Sequence, residues 1–158
     1  MAAEQNKDIL RRFITGCVNA AREDLLPEFV AADVRVHPGT PGAAPDTAGL
    51  EELGAAFRRF RVVLPDLHIA QEETVAEGDL VAARWTATGT HSGPLAGIEP
   101  TGRAVRWSGT DVYRFANGRI VEWWRNDDFV WLLHQVGRDL DPDATGPRRR
   151  ALAGEPRP

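Results

Sequence analysis

Hydrophobic and polar positions change period once along this chain, dividing it into a helical first part and a strand-rich second part. Over residues 4–21, Leu10, Phe13, Ile14, Cys17, Val18 and Ala21 recur at the three- and four-residue spacing of one helix face. A shorter helical piece, about 23–31, is interrupted by Pro27. A brief strand, VRVH, then runs into PGTPGAAP, which reads as a surface loop or pocket rim. Asp46 or Thr47 is placed to cap the next helix, about 47–63, whose buried stripe is Leu50, Leu53, Phe57, Phe60 and Leu64.

From Pro65 the pattern alternates. DLHIAQEETV, DLVAARWTATGTH and RAVRWSGTDVYRF read as strands, and Asn117-Gly118 between two alternating runs is a strong hairpin signal. Helices followed by an antiparallel meander predict an α+β domain with the helices packed on one face of the sheet. A chain of 158 residues fits one domain, taken as residues 1–137, with 138–158 expected to form a poorly ordered tail.

The hairpin sorts side chains between the two faces of the sheet. With Asn117-Gly118 as a two-residue turn, Phe115 faces Ile120, Tyr113 faces Glu122, Asp111 faces Trp124, Gly109 faces Asn126 and Trp107 faces Asp128. These ten share one face, mostly aromatic and aliphatic, which is expected to lie under the helices. It also carries Asp111, Glu122, Asn126 and Asp128, and an unpaired carboxylate buried among apolar groups is costly. Either these residues pair with one another and with backbone, or the face lines a cavity open to a ligand. The opposite face, with Arg106, Arg114, Trp123, Arg125 and Asp127, reads as wet or as a polar subunit interface. In this register Arg125 and Asp127 form a surface ion pair, and Asp127 turns to the pocket only if a bulge shifts the strand.

VRVHPGTPG, PDLHIAQEETVAEGDLVAARWTATGTHSGPLAGIEPTGRAV, GTDVYRFANGRIVEWW and DDFVWLLHQVG, taken in this order, resemble the SnoaL-like polyketide cyclases, or ester cyclases, of the nuclear-transport-factor-2-like superfamily. The resemblance covers most of residues 5–137. It implies a cone-shaped α+β barrel, a curved antiparallel sheet around helices that encloses a deep pocket, assembled as a homodimer. It also implies an intramolecular aldol condensation that closes a ring of a polyketide methyl ester without metal or organic cofactor. The family's acid/base aspartate at the end of the last strand corresponds to Asp128, with Asp127 as the fallback. Hydroxylation, epoxide hydrolysis, isomerisation and non-catalytic binding of a small molecule stay open as alternatives within the superfamily.

On this reading the catalytic candidates are Asp128, His37 and Asp111. Asp128 precedes an apolar helix and serves equally well as its N-cap, but two aspartates are present and capping needs one. His37 ends the first strand, at a position resembling the general-base position of ketosteroid-isomerase-like relatives. Its near-neutral pKa suits proton transfer. Asp111 is a possible second acid. Trp85, Trp107 and Trp124, with Phe13, Tyr113 and Asn126, are the expected walls for a hydrophobic polycyclic substrate.

Charge and composition narrow the remaining classes. With 19 Lys and Arg against 23 Asp and Glu the formal net charge is −4, which disfavours a nucleic-acid footprint, and the RRR at 148–150 reads as a solvated tail. No run suits a signal peptide or a membrane span, so a cytoplasmic protein without membrane association is expected. Cys17, the single cysteine, excludes an intramolecular disulfide and is expected to pack in the core. Four histidines without ligand spacing give no metal signal, and no serine-hydrolase, dinucleotide or P-loop pattern occurs.

Overall fold

In a computed structural model, which describes residues 2–39 and 46–138, the helical and strand-rich parts meet as an α+β architecture. Helix α1 (Ala2–Arg12) continues as a π-helical turn, Phe13–Val18, then a 3₁₀ turn (Glu23–Leu25) and a short α2 (Leu26–Phe29). Strand β1 (Val30–His37), the two-residue β2 (Thr47–Ala48) and helix α3 (Leu50–Val63) follow. The meander is β3 (His68–Glu77), β4 (Leu80–Thr90), β5 (Ala104–Ala116) and β6 (Arg119–Trp124), closed by α4 (Phe129–Gln135). The tail expected at 138–158 lies, from 139 onward, outside the described residues.

The amphipathic stripe of the first helix sits where its spacing places it, with Leu10, Phe13, Ile14, Cys17 and Val18 all buried. Ala21 is exposed with φ 54°, because the chain has already left the helix. Pro27 starts α2 at its first turn instead of breaking it, where a missing N–H costs nothing. Helix α3 begins at Leu50 with Gly49 as N-cap and no side-chain cap, so neither Asp46 nor Thr47 has the predicted role. Thr47 pairs with Val36 in the sheet, and Asp46 bonds His37.

The six strands form one curved, unclosed sheet in the order β2-β1-β6-β5-β4-β3. Strands β3 to β6 are the predicted antiparallel meander, but β1 joins β6 in parallel, so the sheet is mixed. Helices α1 to α3 lie on the concave side and bury two clusters. One gathers Phe13, Phe29, Tyr113, Phe115 and Trp123, and the other Leu64, Trp85, Trp107 and Leu132.

The hairpin turn forms as expected, with both Asn117 (φ 51°) and Gly118 (φ 73°) left-handed, the geometry that matches strand twist. Ala116 faces Arg119 and Phe115 faces Ile120, as predicted. The register then shifts: Arg114 faces Glu122, Tyr113 faces Trp123 and Val112 faces Trp124. Val121 is the extra residue of a β-bulge. Beyond it every side chain of β6 lies on the face opposite to the one an unbulged strand would give.

Candidate functional site

One cavity of about 480 Å³ opens between the concave face of the sheet and α3. Helix α3 contributes Leu53, Ala56, Phe57, Arg59, Phe60 and Val63, residues that recur at helical spacing on its sheet-facing side. Strands β4 and β5 contribute Ala83, Trp85, Trp107, Asp111 and Tyr113. The end of β6 and the turn after it add Trp123, Arg125, Asp127 and Phe129. Most of the wall is apolar, so the few polar groups stand out as the ones able to orient a ligand or move a proton.

Asp111 is the most deeply placed of these, only 2% exposed. Its Oδ2 accepts from the indole Nε1 of Trp123 at 2.9 Å and from the hydroxyl of Tyr113 at 3.3 Å. Its Oδ1 accepts from the backbone N–H of Asn126 at 3.1 Å. Burial pushes the carboxyl pKa upward, while the Asn126 N–H, the Arg125 charge and the Trp123 N–H pull against it, and the upward effect wins. Tyr113 is pushed well above the ordinary tyrosine value by burial and by the Asp111 charge, so it stays a phenol and a donor.

Above Asp111, Arg125 lies over the Trp123 ring, 5.7 Å from its centroid, and faces the Asp127 carboxylate at 3.6 Å. Asp127 is opposite Gly109 in an isolated bridge, on the same face as Asp111. Gly109 is needed for this close fit. A Cβ there would lie 2.4 Å from Cζ2 of Trp85 and 2.8 Å from the Asn126 carbonyl oxygen. The Trp85 indole N–H lies near enough to Asp111 to favour its ionised form, but it meets no partner in hydrogen-bond geometry. Trp85 and Trp107 meet edge to face, 6.3 Å between centroids, and form one end of the cavity.

Several expected site residues lie elsewhere. Asp128 is exposed, and its carboxylate accepts from the Trp131 N–H at 3.0 Å as the N-cap of α4. The bulge at Val121 explains the change, since the shifted register turns Asp127 inward in its place. Trp124 is on the outer face, stacked on His37 at 5.5 Å and under Arg114 at 5.2 Å. His37 points to that outer face too, because its neighbour Val36 takes the inward position. Its ring nitrogens bond Asp46 at 2.8 Å and Glu122 at 2.9 Å. Phe13 is wholly buried against Phe29 and Trp123 and does not reach the cavity. Asn126 contributes its backbone N–H to Asp111, while its side chain is not part of the cavity wall. Asp111, Trp85, Trp107 and Tyr113 are where the sequence put them.

Arg59, Gln71, Trp123 and Arg125 line the cavity without having been placed there by sequence reasoning, and Asp127 was placed there only as the fallback for a bulged strand. A signal was present for three of them. An unbulged β6 would put Glu122 inside and Trp123 outside, which buries a charge and wets an indole. One inserted residue reverses both, which leaves Trp123 only 7% exposed and gives Glu122 to Arg114 and His37. Arg59 and Gln71 carry no such signal.

The described residues hold no group of three or more His, Cys, Asp or Glu side chains arranged to take a metal ion. None of their helices is long and apolar enough to cross a membrane.

Comparison with known proteins places this cavity in context. Residues 8–136 match the family described as SnoaL-like polyketide cyclase. The aklanonic acid methyl ester cyclase DnrD of Streptomyces peucetius is 27% identical over 82% of this chain and 89% of its own length. The aklanonic acid methyl ester cyclase DauD of Streptomyces sp. (strain C5) is 26% identical over 90% of this chain and 92% of its own. Among solved structures, IdmH from Streptomyces antibioticus superposes with a TM-score of 0.74 at 33% identity, over 85% of this chain and 99% of that one. A SnoaL-like protein from Jannaschia sp. CCS1 shares the fold with a TM-score of 0.79 at 21% identity, over 87% of this chain and 94% of that one.

Proposed function

The chain belongs to the SnoaL-like polyketide cyclase family, with the nuclear-transport-factor-2-like fold, and on that premise we propose that it is an enzyme closing a ring in a polycyclic polyketide by proton transfer through Asp111. The observation that carries this reading is a carboxylate of raised pKa, held by three donors, in the wall of an otherwise apolar aromatic cavity. A base of that kind keeps enough basicity to take a proton from a carbon between two carbonyl groups.

In the proposed reaction an Asp111 oxygen removes that proton, and the enolate carbon attacks a ketone carbon of the same molecule. A C–C bond forms and the ketone oxygen becomes an alkoxide. The proton held by Asp111 then returns to the alkoxide, so the carboxylate is regenerated and no atom is lost. Trp123 and Asn126 fix the carboxylate, Trp85 and Trp107 stack against the rings, and the step uses the protein's own side chains. We place the reaction in a cofactor-free cyclase, acting as a homodimer in the cytoplasm.

A second reading is favoured by one specific feature, the Arg125 guanidinium beside Asp127 and close to Asp111 inside the cavity. Asp127 would take a proton from water as the water oxygen bonds to a carbon of a strained ring. Arg125 would donate a hydrogen bond to the ring oxygen whose bond to that carbon breaks and which then takes up the proton. Reaction in ¹⁸O-labelled water separates the two, because ring opening by water incorporates one labelled oxygen and aldol closure incorporates none.

The test of the leading reading is turnover of late polyketide methyl esters and of the corresponding free acids by protein freed of metals with a chelator, followed across pH. Ring closure is expected to speed up as pH rises through a pKa above the ordinary aspartate value, as Asp111 becomes a base. Absence of turnover after chelation, or a rate that falls over that range, would contradict it.

A further inference from the structure

Four charged side chains line the cavity, and three of them are matched by neighbours. Asp111 has its three donors, and Arg125 and Asp127 face each other. The fourth, Arg59, makes no hydrogen bond or ion pair with any described residue. Its neighbours on α3 behave differently. Arg61 turns off the cavity side to bond the Val18 carbonyl at 2.6 Å and Glu23 at 3.4 Å, and Arg58 does not line the cavity. Arg59 alone among them shares the stripe of Ala56, Phe60 and Val63, and it is exposed, which places it at the opening.

We propose that the substrate is a free acid whose carboxylate meets Arg59 at the cavity opening while its rings occupy the aromatic interior. The proposal rests on the cyclase reading for the identity of the cavity as the substrate site. A guanidinium is charged at any physiological pH and offers paired donors that match a carboxylate. The interior, with Phe60, Trp85, Leu95 and Trp107, offers nothing to a second charge at that end. An amphiphilic ligand, apolar inside and anionic at the rim, fits both halves of the wall. The two curated relatives are named for a methyl ester, a form without carboxylate charge. A free cation at the rim therefore marks a difference in substrate form.

The experiment measures quenching of tryptophan fluorescence by anthraquinone-2-carboxylate and by its methyl ester, with Trp85 and Trp107 as reporters. Wild-type protein is expected to bind the acid about fivefold more tightly than the ester, the order expected of a partly exposed ion pair, and the preference should shrink as salt is raised. Arg59→Gln should bring the acid down to the affinity of the ester, whereas Arg58→Gln should keep the wild-type preference. Equal binding of acid and ester to wild type would overturn the proposal and leave the cyclase reading standing. A preference that survives Arg59→Gln would do the same. Failure of both ligands to bind would overturn the proposal together with the use of the cavity as a substrate site.

Discussion

Adjacent aspartates with different surroundings show how much a single position decides. Asp127 faces the cavity and Asp128 caps a helix, although nothing in their chemistry distinguishes them. Replacing Asp128 with Ala should cost about 1 kcal/mol of stability, the usual value of an N-cap, and leave ligand quenching unchanged. Urea denaturation and a binding titration check the two halves of that statement. Asp111 should show itself through pH. Its pKa is raised on folding, so its favourable contribution is complete below the ordinary value of 3.8 and is lost as pH rises through the raised one. Wild type should therefore lose stability relative to Asp111→Asn across that window, by no more than about 1.4 kcal/mol per pH unit for one proton. Denaturation curves of both proteins at several pH values give the sign directly. Asp111 was legible in the sequence because its strand is regular from Ala104 to the turn. Asp128 was misplaced because its position depends on a strand that is not.

At the level of elements, the periodicities were informative wherever packing follows spacing alone. The helix stripes of α1 and α3, the four meander strands and the Asn117-Gly118 turn follow from apolar spacing and turn chemistry. The parallel pairing of β1 with β6 left no trace, since a half-buried strand has the same alternation whichever direction it runs. The bulge left an indirect one. Val121 is unremarkable as a residue, and only the competing costs of burying Glu122 or Trp123 betray it. Deleting Val121 removes the extra residue and is expected to leave Glu122 opposite Arg114 and Trp123 opposite Tyr113 in a regular strand, at a cost below about 3 kcal/mol, the lower end for losing a buried large aromatic. Thermal and chemical denaturation measure it. A larger loss, with Trp123 turned outward, would show that the pairing beyond the bulge does not set the faces of β6.

Across the whole molecule, the bulge divides the work between the two faces of the sheet. The inner face keeps Asp111, Trp123, Arg125 and Asp127 for the cavity, and the outer face ties β1 to β6 through His37, Glu122 and Arg114. The hydrogen bonds to Glu122 and Asp46 raise the His37 pKa above the ordinary histidine value near 6.5, against a smaller opposing effect of burial. The stability this gives is complete below that value and is lost as pH rises through the raised pKa, so the gap between wild type and His37→Gln should close over that range. An NMR titration of the His37 ring checks the pKa itself. The central claim is that Asp111, not Asp128, carries the proton, and the most direct measurement compares Asp111→Asn with Asp128→Asn for ring-closing turnover, with folding and ligand affinity monitored alongside. Asp111→Asn should lower kcat by about a hundredfold while staying folded and binding ligand, and Asp128→Asn should keep near-wild-type turnover. The reverse order, with Asp128→Asn inactive and Asp111→Asn active, would contradict the account.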